Sequence, residues 1–376
     1  MYKRIIDLNQ LLNKKSHFLF GPRSTGKTTL IQQQLKEAEV FDLLNRDSYR
    51  RLLSDPSMIG RVPKDKIVVI DEIQKIPSLL DEVHRLIQKE NRRFLLTGSS
   101  ARKLKRGAAN LLAGRAWQAN LLPLTTREID DFNLLQYLNR GGLPHVYGSE
   151  DYHDELLEYL SLYLREEVAA EALTRNIEAF SEFLDLVGLS NGSEINYQSF
   201  ASDCNVSQNT IKNYFEILED TLIGYKLKAF KKTKIRKAIS RSKHFLFDVG
   251  VVNTLKKIPM ILNDSSAFGD AFEHFIVNEV RAYNLYAKKR EQLCYWRSVR
   301  QDEVDLVIDK KVAIEIKSTK QVKNKHLKGL LALKEEGLFQ DYLIVSQDPI
   351  EQTHDTGIVM IPWDKFLDKL WKGSFF

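Results

Sequence analysis

Residues 20–30 read Phe-Gly-Pro-Arg-Ser-Thr-Gly-Lys-Thr-Thr-Leu. From Gly21 to Thr28 this run satisfies G-x-x-x-x-G-K-[ST], the pattern of a phosphate-cradling loop. Gly21 and Gly26 allow a tight turn that brings backbone N–H groups close to phosphate oxygens. Lys27 supplies a point charge for the β- and γ-phosphates, and Thr28 a hydroxyl for Mg²⁺. The candidate nucleotide-binding stretch is therefore Gly21, Pro22, Arg23, Ser24, Thr25, Gly26, Lys27, Thr28 and Thr29. The context suits the motif. His17-Phe18-Leu19-Phe20 reads as a short buried strand, and Thr28 to Leu35 contains neither Gly nor Pro and predicts a helix. A helix opening at the loop adds its partial positive charge to the phosphate site.

Working outward, Ile67-Val68-Val69-Ile70 is a run of β-branched residues ending in Asp71-Glu72. Such a run suits a central parallel strand buried on both faces. Its acids then stand at the carboxyl end, where open α/β sheets bind ligands. Asp71 is the candidate Mg²⁺ partner beside Thr28, and Glu72 the candidate that orients or deprotonates an attacking water. A third run, Phe94-Leu95-Leu96, ends in Thr97-Gly98-Ser99-Ser100. A small polar residue there can face the γ-phosphate or the water. Ser99 is the first choice and Thr97 the second. Arg102, Arg106 and Arg115 come next in a basic stretch, and Arg115 is the favoured arginine finger.

Together these segments resemble the AAA-plus class of P-loop ATPases, in the bacterial and archaeal branch fused to a C-terminal nuclease-like domain. The resemblance rests on GPRSTGKTTL, VVIDEIQKIP, FLLTGSS, LAGRAWQANLLPLT and RGGLPHVY. It covers about the first 150 residues in order and spacing, and the later half more weakly. It implies ATP and Mg²⁺ as cofactors and ATP hydrolysis as the activity. Gly141-Gly142-Leu143-Pro144 resembles that family's marker at the start of its helical lid. Other P-loop classes fit less well, since the chain has neither a Leu-Ser-Gly-Gly-Gln signature nor an Asn-Lys-x-Asp motif after a strand.

The chain has 376 residues, 43% hydrophobic and 28% charged, enough for two or three domains of ordinary globular composition. No run of about 18 apolar residues is present, so no membrane span is expected. The N-terminal Met-Tyr-Lys-Arg-Ile-Ile-Asp lacks an apolar signal core. Two distant cysteines, Cys204 and Cys294, suit a reducing cytoplasm. Net charge is +6, but nine basic residues and no acid fall between Tyr225 and His244. Such a block favours a polyanion. Just before it, Tyr197–Cys204 and Gln208–Thr221 read as two helices joined by a capped turn, leading into a strand. That is the pattern of a winged helix-turn-helix. Candidate DNA contacts are Gln208, Asn209 and Lys212 on the second helix, and Lys231, Lys232, Lys234, Arg236 and Lys237 in the wing region. A module that packs against protein is the competing expectation.

Near the C-terminus, Glu303–Ile308 and Val312–Lys317 read as a hairpin, and alternation lets Asp305, Glu315 and Lys317 converge. This resembles the D…E-x-K constellation of the PD-(D/E)XK nuclease fold, with Glu273 as its additional upstream acid. The resemblance implies a second divalent metal held by the carboxylates and a lysine that positions water. A nuclease-like fold that binds DNA or a partner without cutting is a second expectation, and a chance hairpin a third.

The expected architecture is multidomain α/β. Residues 1–125 form a parallel-sheet P-loop ATPase core, 126–175 a helical lid or linker, 176–245 a winged helix-turn-helix, and 260–376 a mixed α/β nuclease-like domain. The expected partner is DNA, with a protein partner as the alternative. A homo-oligomer is compatible with the resemblance.

Overall fold

A computed structural model describes residues 2–98, 112, 114–167, 176–263 and 265–376. The N-terminal core alternates helices and strands in chain order: α1 (Leu8–Lys14), β1 (Ser16–Phe20), α2 (Lys27–Gln34), β2 (Glu39–Asp42), α3 (Arg46–Ser54), β3 (Val68–Asp71), α4 (Leu79–Glu90), β4 (Phe94–Gly98) and β5 (Ala116–Asn120). Five parallel strands lie in the order β2-β3-β4-β1-β5. Val68, Val69 and Ile70 are fully buried, as a central parallel strand with helices on both faces requires. One apolar layer holds Phe18, Ile70, Leu79 and Leu96, and the other Leu19, Leu30, Val69 and Leu95. The sheet order has a chemical consequence. Because β4 lies between β1 and β3, its carboxyl end falls between the phosphate loop and Asp71.

A helical segment comes next: α5 (Leu134–Arg140), α6 (Tyr152–Glu158), a π-helical continuation over Tyr159–Glu167, and then α7 (Ile177–Leu189), α8 (Tyr197–Asp203) and α9 (Gln208–Asp220). Asn176, Asn196 and Ser207 cap the last three, each accepting a backbone N–H of the first turn. β6 (Gly224–Ala229) and β7 (Lys243–Leu246) pair antiparallel, and α10 (Val249–Leu255) succeeds them.

The structure gives the Gly141-Gly142 pair a physical reason. The N–H of Gly142 donates to Asp248 Oδ2 at 2.7 Å, and Val251 N–H donates to Asp248 Oδ1 at 3.1 Å. Gly141 has φ 75, and a Cβ there would collide with the Asp248 carboxylate. A Cβ on Gly142 would lie 2.6 Å from the Tyr137 hydroxyl and 2.8 Å from the Leu124 carbonyl. Only backbone fits between α5, the end of the core and α10. Burial pushes the Asp248 carboxyl up to about 6, against the pull of its backbone donors.

The C-terminal part comprises α11 (Ser266–Tyr286), β8 (Leu293–Arg297), β9 (Glu303–Ile308), β10 (Val312–Lys317), α12 (Lys328–Lys334), β11 (Asp341–Ser346), β12 (Gln352–Thr353), β13 (Val359–Pro362) and α13 (Trp363–Trp371). Its mixed sheet runs β12-β13-β11-β10-β9-β8-β6-β7. Phe272, Phe275, Leu306 and Ile314 share one apolar layer with α11, and Val307, Ala313, Leu330 and Leu333 share the other with α12. The sequence pattern assigns β6 and β7 to a separate wing. Instead β6 pairs in parallel with β8 through Lys228 and Ala229, so that hairpin extends the C-terminal sheet. The expected break between 245 and 260 is crossed by one continuous sheet.

Candidate functional site

The phosphate loop joins β1 to α2. Gly26 holds φ 89 and Ser24 φ 65, left-handed conformations that turn the chain into the helix. A Cβ on Gly21 would collide with the carbonyl of Leu121, just past β5. Thr25 is fully buried, and its hydroxyl donates to Pro22 O at 2.9 Å. The Lys27 ammonium donates to Gly21 O at 2.8 Å and Pro22 O at 3.1 Å, so it lies folded within the loop. Phosphate oxygens would replace those carbonyls.

Thr28 Oγ1 donates to Asp71 Oδ2 at 3.0 Å. Thr97 Oγ1 donates to Asp71 Oδ1, and the N–H of Glu72 donates to Thr97 Oγ1 at 3.2 Å. Helix, β3 and β4 thus bring Thr28, Asp71, Glu72 and Thr97 together. Glu72 adopts φ 61, an uncommon backbone for a non-glycine residue. Its carboxylate accepts from Gln74 Nε2. A hydroxyl beside a carboxylate is the hard oxygen set that Mg²⁺ takes. Thr28 and Asp71 therefore fit a metal that would neutralise phosphate charge. Ser99, Arg102 and Arg106 lie outside the described residues. Arg115 immediately precedes Ala116, which pairs with Ser16 at the far end of β1. Five residues of strand, about 16 Å, separate it from the phosphate loop. It therefore stands at the opposite end of the sheet from the loop of its own chain, a placement that does not suit a role there in cis.

Two supports of the loop carry no motif. Arg4 is buried behind it. Its guanidinium donates to Thr25 O at 2.6 Å, Leu122 O at 2.6 Å and Glu128 Oε1 at 2.9 Å. Glu128 also accepts the N–H groups of Ile5 and Thr125. On the outer side, the Tyr163 hydroxyl accepts the Arg23 N–H, and the Tyr159 hydroxyl donates to Arg23 O, each at 3.3 Å. The π-helical segment after α6 thus touches the loop directly, where a lid was expected.

A second cluster forms in the C-terminal sheet. Lys317 Nζ lies 2.6 Å from Glu315 Oε1 and 3.3 Å from Asp305 Oδ2. Asp305 Oδ2 also accepts the N–H of Ile316 at 2.8 Å. Burial first, and then the nearby Asp305 charge, hold both the Glu273 and Glu315 carboxyls above the ordinary range. All four expected residues converge. Two more join them. Lys243, arriving on β7, lies 2.6 Å from Glu303 Oε1 and 3.5 Å from Glu273 Oε1. Lys243 belongs to the basic block expected to favour a polyanion, but it is buried over the face of Tyr295. Glu315 Oε2 is buried without a hydrogen-bond partner among the described residues, an orphan that suits a cation. Among the described residues no three acidic, His or Cys side chains form a metal cage. A metal there would take Asp305 and Glu315 and complete its shell with water or substrate oxygens.

Gln208, Asn209 and Lys212 are exposed on α9, as are Lys231, Lys232, Lys234 and Lys237 in the β6–β7 connection. Arg236 is a correction to the expected DNA surface. Its guanidinium donates to Glu335 Oε2 at 2.7 Å and Ala332 O at 3.0 Å. Glu336 accepts the N–H groups of residues 234, 235 and 236. Arg236 therefore fastens the connection to α12 and to the acids at its C-terminal end.

Comparison with known proteins matches three stretches of the chain. Residues 13–130 match the AAA domain family, residues 131–261 a Domain of unknown function (DUF8612), and residues 268–366 a Domain of unknown function (DUF4143). The chain is 26% identical over 363 residues to the uncharacterized protein Rv2008c of Mycobacterium tuberculosis, covering 93% of this chain and 80% of that one. It is 26% identical over 336 residues to the uncharacterized protein MJ1544 of Methanocaldococcus jannaschii, covering 80% and 73%. Among solved structures, the Aeropyrum pernix ORC1 protein in complex with DNA aligns with 68% of this chain and 94% of that one, at 12% identity and a TM-score of 0.26. C. elegans PCH-2 aligns with 55% and 60%, at 16% identity and a TM-score of 0.23. The sheet order, the phosphate loop and the family match together make residues 13–130 a P-loop ATPase domain of the AAA type.

Proposed function

We propose that the chain is an ATP-hydrolysing switch whose helical and C-terminal parts act on DNA. The observation that carries this is the convergence of Lys27, Thr28, Asp71, Thr97 and Glu72 at the carboxyl end of the parallel sheet. Lys27 would bind the β- and γ-phosphates. Thr28 and Asp71 would hold Mg²⁺, whose charge offsets that of the phosphates. Glu72 would orient the attacking water and accept its proton. The contacts from Tyr159 and Tyr163 to Arg23 support a lid that responds to what the loop holds. Nucleotide would change those contacts and so move the segment leading to α7–α9. Arg115 would reach a phosphate only on a neighbouring copy, so a finger role goes with a homo-oligomer. The exposed Gln208, Asn209, Lys212, Lys231, Lys232, Lys234 and Lys237 supply a surface for a phosphate backbone.

A second activity rests on the Glu273, Asp305, Glu315 and Lys317 cluster. Its composition favours metal-dependent phosphodiester cleavage, with Lys317 positioning water. One experiment separates the readings. Single- and double-stranded DNA is incubated with Mg²⁺ or Mn²⁺, with and without ATP, for wild type, Lys317→Ala and Asp305→Ala. Cleavage absent from both variants but present in wild type supports an ATP-controlled nuclease. Binding that responds to nucleotide, without cleavage, supports a DNA-attaching ATPase. Neither binding nor cleavage transfers the weight to a regulator whose C-terminal half grips protein.

A further inference from the structure

A cleft of about 620 Å³ runs along β5, walled by α1 on one side and the C-terminal half of α11 on the other. Among the described residues β5 is an edge strand, paired to β1 alone. Its register fixes which backbone groups face outward. The N–H of Leu121 donates to Phe20 O at 2.7 Å, and Phe20 pairs with Asn120. In a parallel ladder, Trp117, Ala119 and Leu121 then bond to β1, while the N–H and C=O of Gln118 and Asn120 point into the cleft. Among the described residues these outward groups have no partner.

The two edges of this sheet differ. β2 carries Glu39 and Asp42, charges of the kind that blunt an edge against unwanted pairing. β5 reads Ala-Trp-Gln-Ala-Asn, with no charge, no proline and an unbroken register. Its Trp117 is 47% exposed, edge-on to His17 at 5.8 Å. The wall opposite is cationic. Arg281, Lys288 and Arg290 line it, and among the described residues none has a carboxylate partner. Arg281 lies over the Tyr225 ring at 4.1 Å instead. The one acid on the lining, Asp7, is occupied in capping α1 through the Gln10 N–H. The walls are pinned. The Tyr286 hydroxyl accepts the Leu122 N–H, and Glu279 accepts from Thr126 and from Trp371 Nε1.

We propose that this cleft binds an extended acidic segment of a partner protein, which adds to β5 as a sixth strand. The backbone of Gln118 and Asn120 supplies the ladder, and alternate acidic side chains meet Lys288, Arg290 and Arg281. Main-chain hydrogen bonds give such recognition its affinity, and side-chain charge gives it selectivity. The site stands at the junction of the ATPase core and α11, so its occupant touches both.

The test uses the full chain and an array of ten-residue peptides in which Asp or Glu alternates with varied apolar residues. A matched array carries Lys in place of the acids. The expected result is capture of acidic members only. The best of them, labelled and titrated, should weaken at least tenfold against Gln118→Pro, which removes one outward N–H while leaving the β1 ladder whole. It should weaken similarly against the Lys288→Glu, Arg290→Glu double variant. Alternate N-methylation of the peptide should abolish binding, and unchanged nucleotide affinity reports that each variant is folded. Failure of every acidic peptide overturns the proposal. So does binding that survives both N-methylation and Gln118→Pro, since that would be charge attraction without a strand.

Discussion

Replacing Arg4 with methionine should damage the nucleotide site from behind without touching any motif residue. The guanidinium and its partner Glu128 are 4% and 0% exposed. The substitution keeps much of the apolar stem but removes the donors to Glu128, Thr25 O and Leu122 O. Glu128 would keep the Ile5 and Thr125 N–H groups, yet its charge would lose its buried counter-ion. Breaking a buried ion pair from one side costs about 3–5 kcal/mol. The two orphaned carbonyls act in the same direction, and the retained N–H donors act against it. The expected loss is therefore about 3–5 kcal/mol, read from urea denaturation. Thr25 lies within the phosphate loop, so ATP affinity should also fall, by about tenfold or 1.4 kcal/mol. The Arg4→Met, Glu128→Gln double variant removes both charges and should recover much of the stability. A double-mutant cycle should give a coupling of at least about 2 kcal/mol. A coupling below about 0.5 kcal/mol, or unchanged ATP affinity in Arg4→Met, would refute the view that this pair holds the loop.

Gly141→Ala forces a Cβ into the Asp248 carboxylate at φ 75 and should lower stability by about 2–4 kcal/mol, measured as a fall in melting temperature. His244 is buried beside Phe215, with both ring nitrogens lacking hydrogen-bond partners among the described residues, and burial first pushes its pKa down to about 3. The folded state therefore binds no proton there at pH 5, whereas the unfolded state does. Stability present above about pH 6.5 is lost as pH falls towards 3, by about 2 kcal/mol at pH 5. His244→Phe should flatten that part of a stability–pH profile. Replacing Lys231, Lys232 and Lys234 with alanine should make the log–log salt slope of DNA binding shallower, by about 0.9 for each duplex phosphate no longer neutralised. Arg236→Ala should instead reduce stability, because its guanidinium is spent on Glu335 and Ala332 O.

The grouping of Thr28, Asp71 and Thr97 beside the loop was legible because its pattern is written locally. Strand, loop and helix succeed one another from Ser16 to Gln34, and Asp71 and Thr97 each stand at the end of an apolar strand. Arg4 and Glu128 were not legible, since their pairing spans 124 positions and neither lies in a motif. The Gly141-Gly142 pair was visible as a pattern, but its reason was not, because Asp248 reaches it from 106 positions away. Charge counting misread Lys243 and Arg236. A basic run looks solvated until the fold delivers Glu273, Glu303 and Glu335 to it. Alternation identified the partners on β9 and β10, but it carried no information that β6 would join β8 and extend that sheet. Arg115 was placed by proximity in sequence, whereas parallel pairing of β5 with β1 sends it to the opposite end of the sheet.

ATP hydrolysis at the loop, with Glu72 activating water, is tested most directly by turnover. Steady-state turnover and ATP affinity should be measured together for wild type, Lys27→Ala and Glu72→Gln, each with Mg²⁺. The expected result is Mg²⁺-dependent turnover in wild type, weakened nucleotide binding in Lys27→Ala, and ATP bound at near wild-type affinity without turnover in Glu72→Gln. Normal turnover in Glu72→Gln, or wild-type protein that binds no ATP, would contradict it.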